Sequence, residues 1–301
     1  MSTSSEPGAL PGHRELREAC AAFGLDATDA RLLHHRSNAV YALPGPGAVA
    51  RLSPDTALRL DRARTVITVT RWLTDQGHPV ALAPLPGPQP VIVPGAVATF
   101  WPLRTAATTP TATDLAALLR ELHAVPEPPF TLPRYRPLHR LREALDLDTG
   151  REHPVLPIAE HRWLTDRAGE LIDAYQGADF PLGHGLVHAD AHLENLVPTA
   201  AGWTLIDWDH ACHGPRELDL LTAAPDHFHT PEPDRLAFSA AYGHTLTDWP
   251  HWTVLRDIAE LHSLASYIRL APGKPTAATE LATRLRSLRT GDRATRWHAV
   301  S

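Results

Sequence analysis

The sequence predicts an α+β fold in two lobes, a small antiparallel-sheet N-terminal lobe over residues 1–103 and a larger, mostly helical C-terminal lobe over 104–301. Three observations predict it. Between residues 31 and 101 short apolar runs alternate with Pro/Gly turns, the mark of hairpins. Beyond residue 113 the apolar residues recur at the 3.6 period of helices. Between the two, after Trp101-Pro102-Leu103, the composition shifts to Thr, Ala and Pro, as at a hinge.

The elements follow in order. Residues 1–12 are Ser, Gly and Pro rich and are expected to be disordered, and an amphipathic helix is expected from His13 to Phe23. Strands are expected at Arg31–Leu33, Ala39–Leu43 and Val49–Leu52, the last two joined by the Pro44-Gly-Pro-Gly47 turn. A helix from Thr56 to Gln76 ends at Gly77, which suits a left-handed cap. Gln89–Val93 and Ala96–Trp101 form a further hairpin through Pro94-Gly95. In the second lobe Thr113 caps a helix over Asp114–Val125, whose Leu115, Leu118, Leu119 and Leu122 fall on one face. Pro126 to Pro137 reads as a rigid connector. Helices are expected at Leu138–Leu147 and Ile158–Tyr175, then at Pro233–His244, Trp252–Leu270 and Thr276–Thr290.

At 301 residues, with 43% hydrophobic and 21% charged residues, the chain is long enough for one large or two small cores. No apolar run approaches the roughly 20 residues of a membrane span, so no membrane partner is expected and the cytoplasm is the default location. Cys20 and Cys212, the two cysteines, fall in different predicted lobes, so no structural disulfide is expected and a reducing compartment suits them. A net charge of −6 argues against nucleic acid as a partner and favours, through steering, a cationic small molecule.

One stretch carries the chemistry. His188-Ala-Asp190-Ala-His-Leu-Glu-Asn195 is followed by a turn and by Leu-Ile-Asp207-Trp-Asp209. Transfer of a γ-phosphoryl group needs a carboxylate that orients and deprotonates the attacking hydroxyl, plus oxygen ligands for the metal bridging the phosphates. Asp190 supplies the first, and Asn195, five residues on, keeps the interval of H-R-D-L-x-x-x-N. Leu196 and Val197 predict a strand, Thr199 to Gly202 a turn, and Trp203–Ile206 a second strand that returns Asp207 towards Asn195, as the Asp of D-F-G is returned.

With these residues the chain resembles the aminoglycoside phosphotransferase and choline kinase family, whose signature is H-G-D-x-x-x-x-N followed by I-D-[WF]-[DEG]. His188-Ala189-Asp190…Asn195 and Ile206-Asp207-Trp208-Asp209 carry the match, with Ala189 in place of the family Gly, and Gly214-Pro-Arg-Glu-Leu-Asp219 follows as in many members. The resemblance implies a bilobal protein-kinase-like fold. It further implies that Asp190 is the catalytic carboxylate, that His188 braces its loop, that Asn195 and Asp207 hold Mg2+, and that ATP or GTP is the phosphoryl donor. Asp209 is expected to support the loop by hydrogen bonds.

The donor's remaining contacts are read from the first lobe. Lys274, the chain's one lysine, lies near the C-terminus, so no strand lysine is available to pair the α- and β-phosphates. Arg51, on the strand after the Pro-Gly turn, takes that position, and a guanidinium suits phosphate oxygens. The following helix offers no Glu: Val66 stands where the family has one, and Asp61 is the best carboxylate partner. Ser37 and Asn38, in the loop Arg36 to Tyr41, are expected over the phosphates through backbone N–H groups. Adenine-edge bonds are expected from the Trp101 carbonyl and the Leu103 amide.

The resemblance assigns the acceptor cleft to the late helices, where Asp219, Asp226, Glu260, Trp249, Trp252 and Tyr267 could hold a polyhydroxylated or amino-bearing molecule. The acceptor is expected to be an antibiotic, an aminoglycoside or another secondary metabolite, phosphorylated for resistance or self-protection. The alternative is a primary-metabolite alcohol such as choline, homoserine or a sugar. No A-P-E segment follows Asp207, which favours a small molecule over a protein. A different chemistry fits some of the same residues: His184, His188, Asp190, His192, Asp207, His210 and His213 could ligate the metal of a hydrolase. With 19 His in the chain, and no H-E-x-x-H or C-x-x-C pair, that reading is the weaker one. A catalytically silent nucleotide-binding module is the remaining alternative.

Overall fold

The structure is a computed structural model that describes residues 10–35 and 38–299. The expectations for residues 1–9 and for Ser37 therefore lie outside the described residues. Contacts group the chain into two units, residues up to Pro133 together with His188–Cys212, and Arg134–Val187 together with His213 onwards. Segment 104–133 and the hairpin carrying the catalytic motifs thus group with the sheet, whereas the sequence division falls at residue 103.

The first unit is built on a five-stranded antiparallel sheet. Helix α1 (His13–Phe23) starts where the Glu15 carboxylate accepts the Gly12 N–H at 2.8 Å, and it ends at Gly24, φ 83°. Strands β1 (Arg31–His35), β2 (Ala39–Leu43), β3 (Ala48–Pro54), β4 (Val91–Val93) and β5 (Ala96–Pro102) take the order β1-β2-β3-β5-β4. The pleat separates two faces. Ala48, Ala50, Leu52, Ala96, Ala98 and Phe100 pack with Leu16, Ala19 and Cys20 of α1 in one core. Val49, Arg51, Thr99 and Trp101 occupy the intervening positions, where Val49 pairs with Trp101 and Arg51 with Thr99.

Strand β4 starts two residues later than expected because the Gln89 side chain takes ladder bonds itself. Its Nε2 donates to the Leu85 carbonyl at 2.6 Å and its Oε1 accepts the Phe100 N–H at 2.8 Å. Helix α2 (Ala57–Asp75) lies between β3 and β4 in sequence, capped by the Thr56 hydroxyl on the Arg59 N–H and closed by Gly77, φ 81°. Helix α3 (Ala112–Ala124) begins a residue or two earlier than the sequence reading. Thr111, not Thr113, is the cap, and Thr111 and Asp114 close a reciprocal capping box.

The second unit comprises α4 (His139–Thr149), α5 (Ile158–Gln176), β6 (His184–Val187), and then, after the catalytic hairpin of β7 (Leu196–Thr199) and β8 (Gly202–Leu205), β9 (Cys212–Pro215), α6 (Glu232–Tyr242), α7 (Trp252–Leu270) and α8 (Pro275–Thr290). Strand β6 pairs with β9. Helix α7 is its centre: Leu255, Ile258, Leu261, Leu264, Ala265 and Ile268 are buried, and α4, α5 and α8 pack on it. Gly214-Pro215 leads directly into the 3-10 segment Arg216–Ala223. Among the described residues no helix is long and apolar enough to cross a membrane.

Candidate active site

The catalytic loop is fixed from beneath. His188 is fully buried, its Nε2 donates to the Ile206 carbonyl at 2.9 Å, and its ring meets the edge of Trp208 at 4.8 Å. Trp208 is itself 1% exposed and donates its indole N–H to the Leu205 carbonyl. His188 thus ties the residue before Asp207 to the loop that carries Asp190. Ala189, between them, is held at φ 60°, a left-handed conformation for which Gly is better suited.

The hairpin does what its spacing required. Leu196 pairs with Leu205 and Thr199 with Gly202, and the Ile206 N–H donates to the Asn195 carbonyl at 2.9 Å. Asp207 therefore follows a residue bonded directly to Asn195. The Asn195 side chain is 93% buried, and its Nδ2 donates to the Asp190 carbonyl at 2.9 Å and to His192 Nε2 at 3.0 Å. With the amide nitrogen spent inward, Oδ1 is the atom left for a cation. Asp207 adopts a left-handed conformation, φ 64°, and keeps its side chain 40% exposed. One amide oxygen and one accessible carboxylate form a hard-oxygen donor set that fits Mg2+.

Arg51 is anchored by the loop and not by the helix. Its Nη1 donates to Asp209 Oδ1 at 2.6 Å, and its Nη2 donates to Asp209 Oδ2 and, at 2.8 Å, to Asp207 Oδ1. The partner expected from Asp61 is corrected: that side chain is 74% exposed and lies 3.6 Å from Arg64. Burial would lower the Arg51 pKa, but Asp209 and Asp207 outweigh it and raise it above the ordinary arginine range. Burial likewise opposes ionisation of Asp209, yet the Arg51 guanidinium holds its carboxyl down at about 2. Asp209 is thus more than a loop support. The signal was present in the sequence as an α2 without Glu and a second Asp two residues after Asp207.

These groups share one cavity of about 550 Å3 within the first unit. Leu33, Val40, Val49, Leu82, Trp101 and Leu205 give it apolar walls, and Asp190, His192, Glu194, Asn195, Asp207, Arg51 and Asn38 make one side polar. Seven site residues named from the sequence line it, Asn38, Arg51, Trp101, Leu103, Asp190, Asn195 and Asp207, and Leu33, His34, Arg104 and Glu194 are among the lining residues that the sequence did not single out. The role expected for the Leu103 amide is corrected, because it donates to the Gly47 carbonyl at 2.8 Å. In an antiparallel ladder backbone groups alternate in direction. Trp101, paired with Val49, and Leu103 therefore turn their groups to β3, and the Pro102 carbonyl turns away from it.

Asp219 and Glu260 lie in the second unit and are 1% and 5% exposed. Glu260 is held by Arg293, whose Nη1 bonds both carboxylate oxygens. Neither acid is presented as an open carboxylate, contrary to the expectation for the acceptor. A cavity of about 430 Å3 in that unit is lined instead by Asp226, His229, Glu232, Arg235, Arg256 and Arg293. The hydrolase alternative finds no support: among the described residues no three His, Cys, Asp or Glu side chains converge as metal ligands, and His184 and His213 stack on each other at 6.0 Å.

The sequence pattern described as the phosphotransferase enzyme family matches residues 29–258. The chain belongs to that family, and it is a small-molecule phosphotransferase. No curated protein sequence matches it. In fold it is similar to the amicoumacin kinase hAmiN in complex with AMP-PNP, Ca2+ and Ami, with a TM-score of 0.69, 12% identity and 96% of each chain covered. It is also similar to a choline/ethanolamine kinase family protein from Mesorhizobium loti, with a TM-score of 0.66, 16% identity and coverage of 91% of this chain and 94% of that one. A microcompartment-associated aminopropanol kinase gives 0.64 at 17% identity, over 93% and 98% of the two chains.

Proposed function

We propose that the protein transfers the γ-phosphoryl group of ATP or GTP to a hydroxyl of an amine-bearing small molecule, an antibiotic or related secondary metabolite before a primary metabolite. The observation that carries the transfer is the convergence of Asp190, Asn195, Asp207 and Arg51 on one cavity.

Asp190 is exposed at the cavity and accepts the hydroxyl proton as the hydroxyl oxygen attacks phosphorus. The bond from phosphorus to the bridging oxygen breaks, and the nucleoside diphosphate leaves with that electron pair. Asn195 and Asp207 would hold Mg2+, which when bound neutralises phosphate charge. Arg51, oriented by Asp209, steadies the α- and β-phosphates. The walls of Leu33, Val49, Leu82 and Trp101 receive the base, whose edge meets the Pro102 carbonyl and the Arg104 N–H. Use of ATP or GTP goes with a cytoplasmic location.

The acceptor class rests on two supports. The net charge of −6 steers cations towards the protein. Two of the fold relatives are named for amino alcohols and one for an antibiotic. Nucleoside diphosphate release from Mg-ATP and Mg-GTP, measured against aminoglycosides, other amine-bearing antibiotics, choline, ethanolamine and neutral sugars, tests it. Stimulation by an amine-bearing antibiotic is expected. Stimulation confined to neutral sugars contradicts the amine, and stimulation confined to choline or ethanolamine contradicts the antibiotic.

A further inference from the structure

Helix α2 is positively charged on the face that lines a small cavity beside the donor cavity. Arg59, Arg62, Ala63 and Val66 recur at the i, i+3, i+4, i+7 spacing of one helix face. They line a small cavity of about 20 Å3 together with Arg51 and Asp209. That cavity shares Asn38, Arg51 and Val66 with the large one, so the two spaces meet at the phosphate-pairing arginine. Asp61, the acid of this stretch, sits on another face and is 74% exposed.

Arg59 is the unusual member. Its backbone N–H is taken by the Thr56 cap, but among the described residues its guanidinium has no hydrogen bond and no ion pair. The nearby carboxylates, Asp209 and Asp207, are both committed to Arg51. Burial and then the neighbouring Arg62 charge lower its pKa, with Asp209 and Asp207 only partly opposing. A half-buried cation without a counter-ion, beside a phosphate site, is stabilised by the arrival of an anion.

We infer that Arg59 is a second phosphate-directed cation of the nucleotide site, reaching the donor's terminal phosphates from α2. The inference rests on the donor reading of the large cavity. It gives the helix a new part: where a helix carboxylate would brace the strand cation, this helix supplies positive charge and the loop carboxylate of Asp209 does the bracing.

The test is equilibrium binding of nucleoside, monophosphate, diphosphate and non-hydrolysable triphosphate, in adenine and guanine series with Mg2+, plus inorganic phosphate. The proteins are wild type, Arg59→Gln, Arg59→Lys and Arg64→Gln, the last at an exposed position on the same helix. The expected result is about tenfold weaker triphosphate binding by Arg59→Gln, with nucleoside binding changed less than about twofold. Arg59→Lys, which keeps the charge but loses the planar fork, should weaken the triphosphate by a smaller factor than Arg59→Gln, and Arg64→Gln should match wild type. Equal loss for nucleoside and triphosphate indicates a structural role and overturns the inference, as does no loss. Loss for inorganic phosphate but not for the triphosphate makes Arg59 a free-phosphate site and also overturns it. If Arg59→Gln does not fold, Arg59→Lys carries the test, because its altered donor geometry should still weaken the triphosphate more than the nucleoside. A wild type that binds no nucleotide overturns the donor reading itself, a result distinct from wild-type binding that Arg59→Gln retains.

Discussion

Asp209 grips Arg51 with both carboxylate oxygens, one bonded to each terminal guanidinium nitrogen, across 158 positions of sequence. Strand β3, which carries Arg51, is thereby tied to the turn that carries Asp207. The ion pair is largely shielded, with side-chain exposures of 17% and 14%, so its geometry matters more than that of a surface pair.

Asp209→Asn should therefore impair two properties together. Replacing the charged bidentate acceptor by an amide leaves Arg51 under-compensated, at a cost of about 1–3 kcal/mol in stability. It should also raise the KM for the nucleotide more than it lowers kcat, because Arg51 loses its orientation. Denaturant unfolding and nucleotide-saturation kinetics check both, and an unchanged nucleotide KM would count against the positioning role.

The pH dependence has a definite sign. The Asp209 carboxyl titrates at about 2 in the folded protein against an ordinary 3.8, so the pair's stabilisation is complete above about pH 4 and is lost as pH falls towards 2. The stability gap between wild type and Asp209→Asn should be constant from pH 5 to 8 and should close below pH 4. A gap that closes near neutrality would mean that another group titrates in its place.

Ala189 pays the steric cost of a left-handed conformation at φ 60°. Ala189→Gly should stabilise the protein by up to about 1 kcal/mol, and Ala189→Val should destabilise it by at least as much. Thermal unfolding of both variants checks this. A Gly variant less stable than wild type would show that the loop is not strained there.

Cys20 should be chemically silent. It is 1% exposed on the buried face of α1, and burial, helped by Asp26, pushes its thiol up to about 11. In a Cys212→Ser background, labelling by a thiol reagent at pH 8 should proceed only as fast as the protein unfolds. Rapid labelling of the folded protein would contradict the packing of α1.

Much of this was legible in the sequence because it was local. The helix over His13–Phe23 followed from its amphipathic pattern, and the hairpin between Asn195 and Asp207 from a turn of the right length. The long-range pairings were not legible. Asp61 and Asp209 are equivalent as residue types, and only the tertiary structure shows that one faces solvent while the other meets Arg51. That the Leu103 N–H is spent on the Gly47 carbonyl depended on which way a strand's N–H groups point, and a slip of one residue reverses that direction. Glu260 read as an available acid until its partner, Arg293, was placed beside it.

The central claim is that Asp190 deprotonates the acceptor hydroxyl at a nucleotide site that does not depend on it. The direct measurement pairs acceptor-stimulated nucleoside diphosphate release with equilibrium nucleotide binding in wild type and Asp190→Ala. Loss of turnover by about 10²–10⁴-fold, with nucleotide affinity within about threefold of wild type, is the predicted result. Turnover that survives the substitution would contradict the assignment of Asp190 and with it the account of the site.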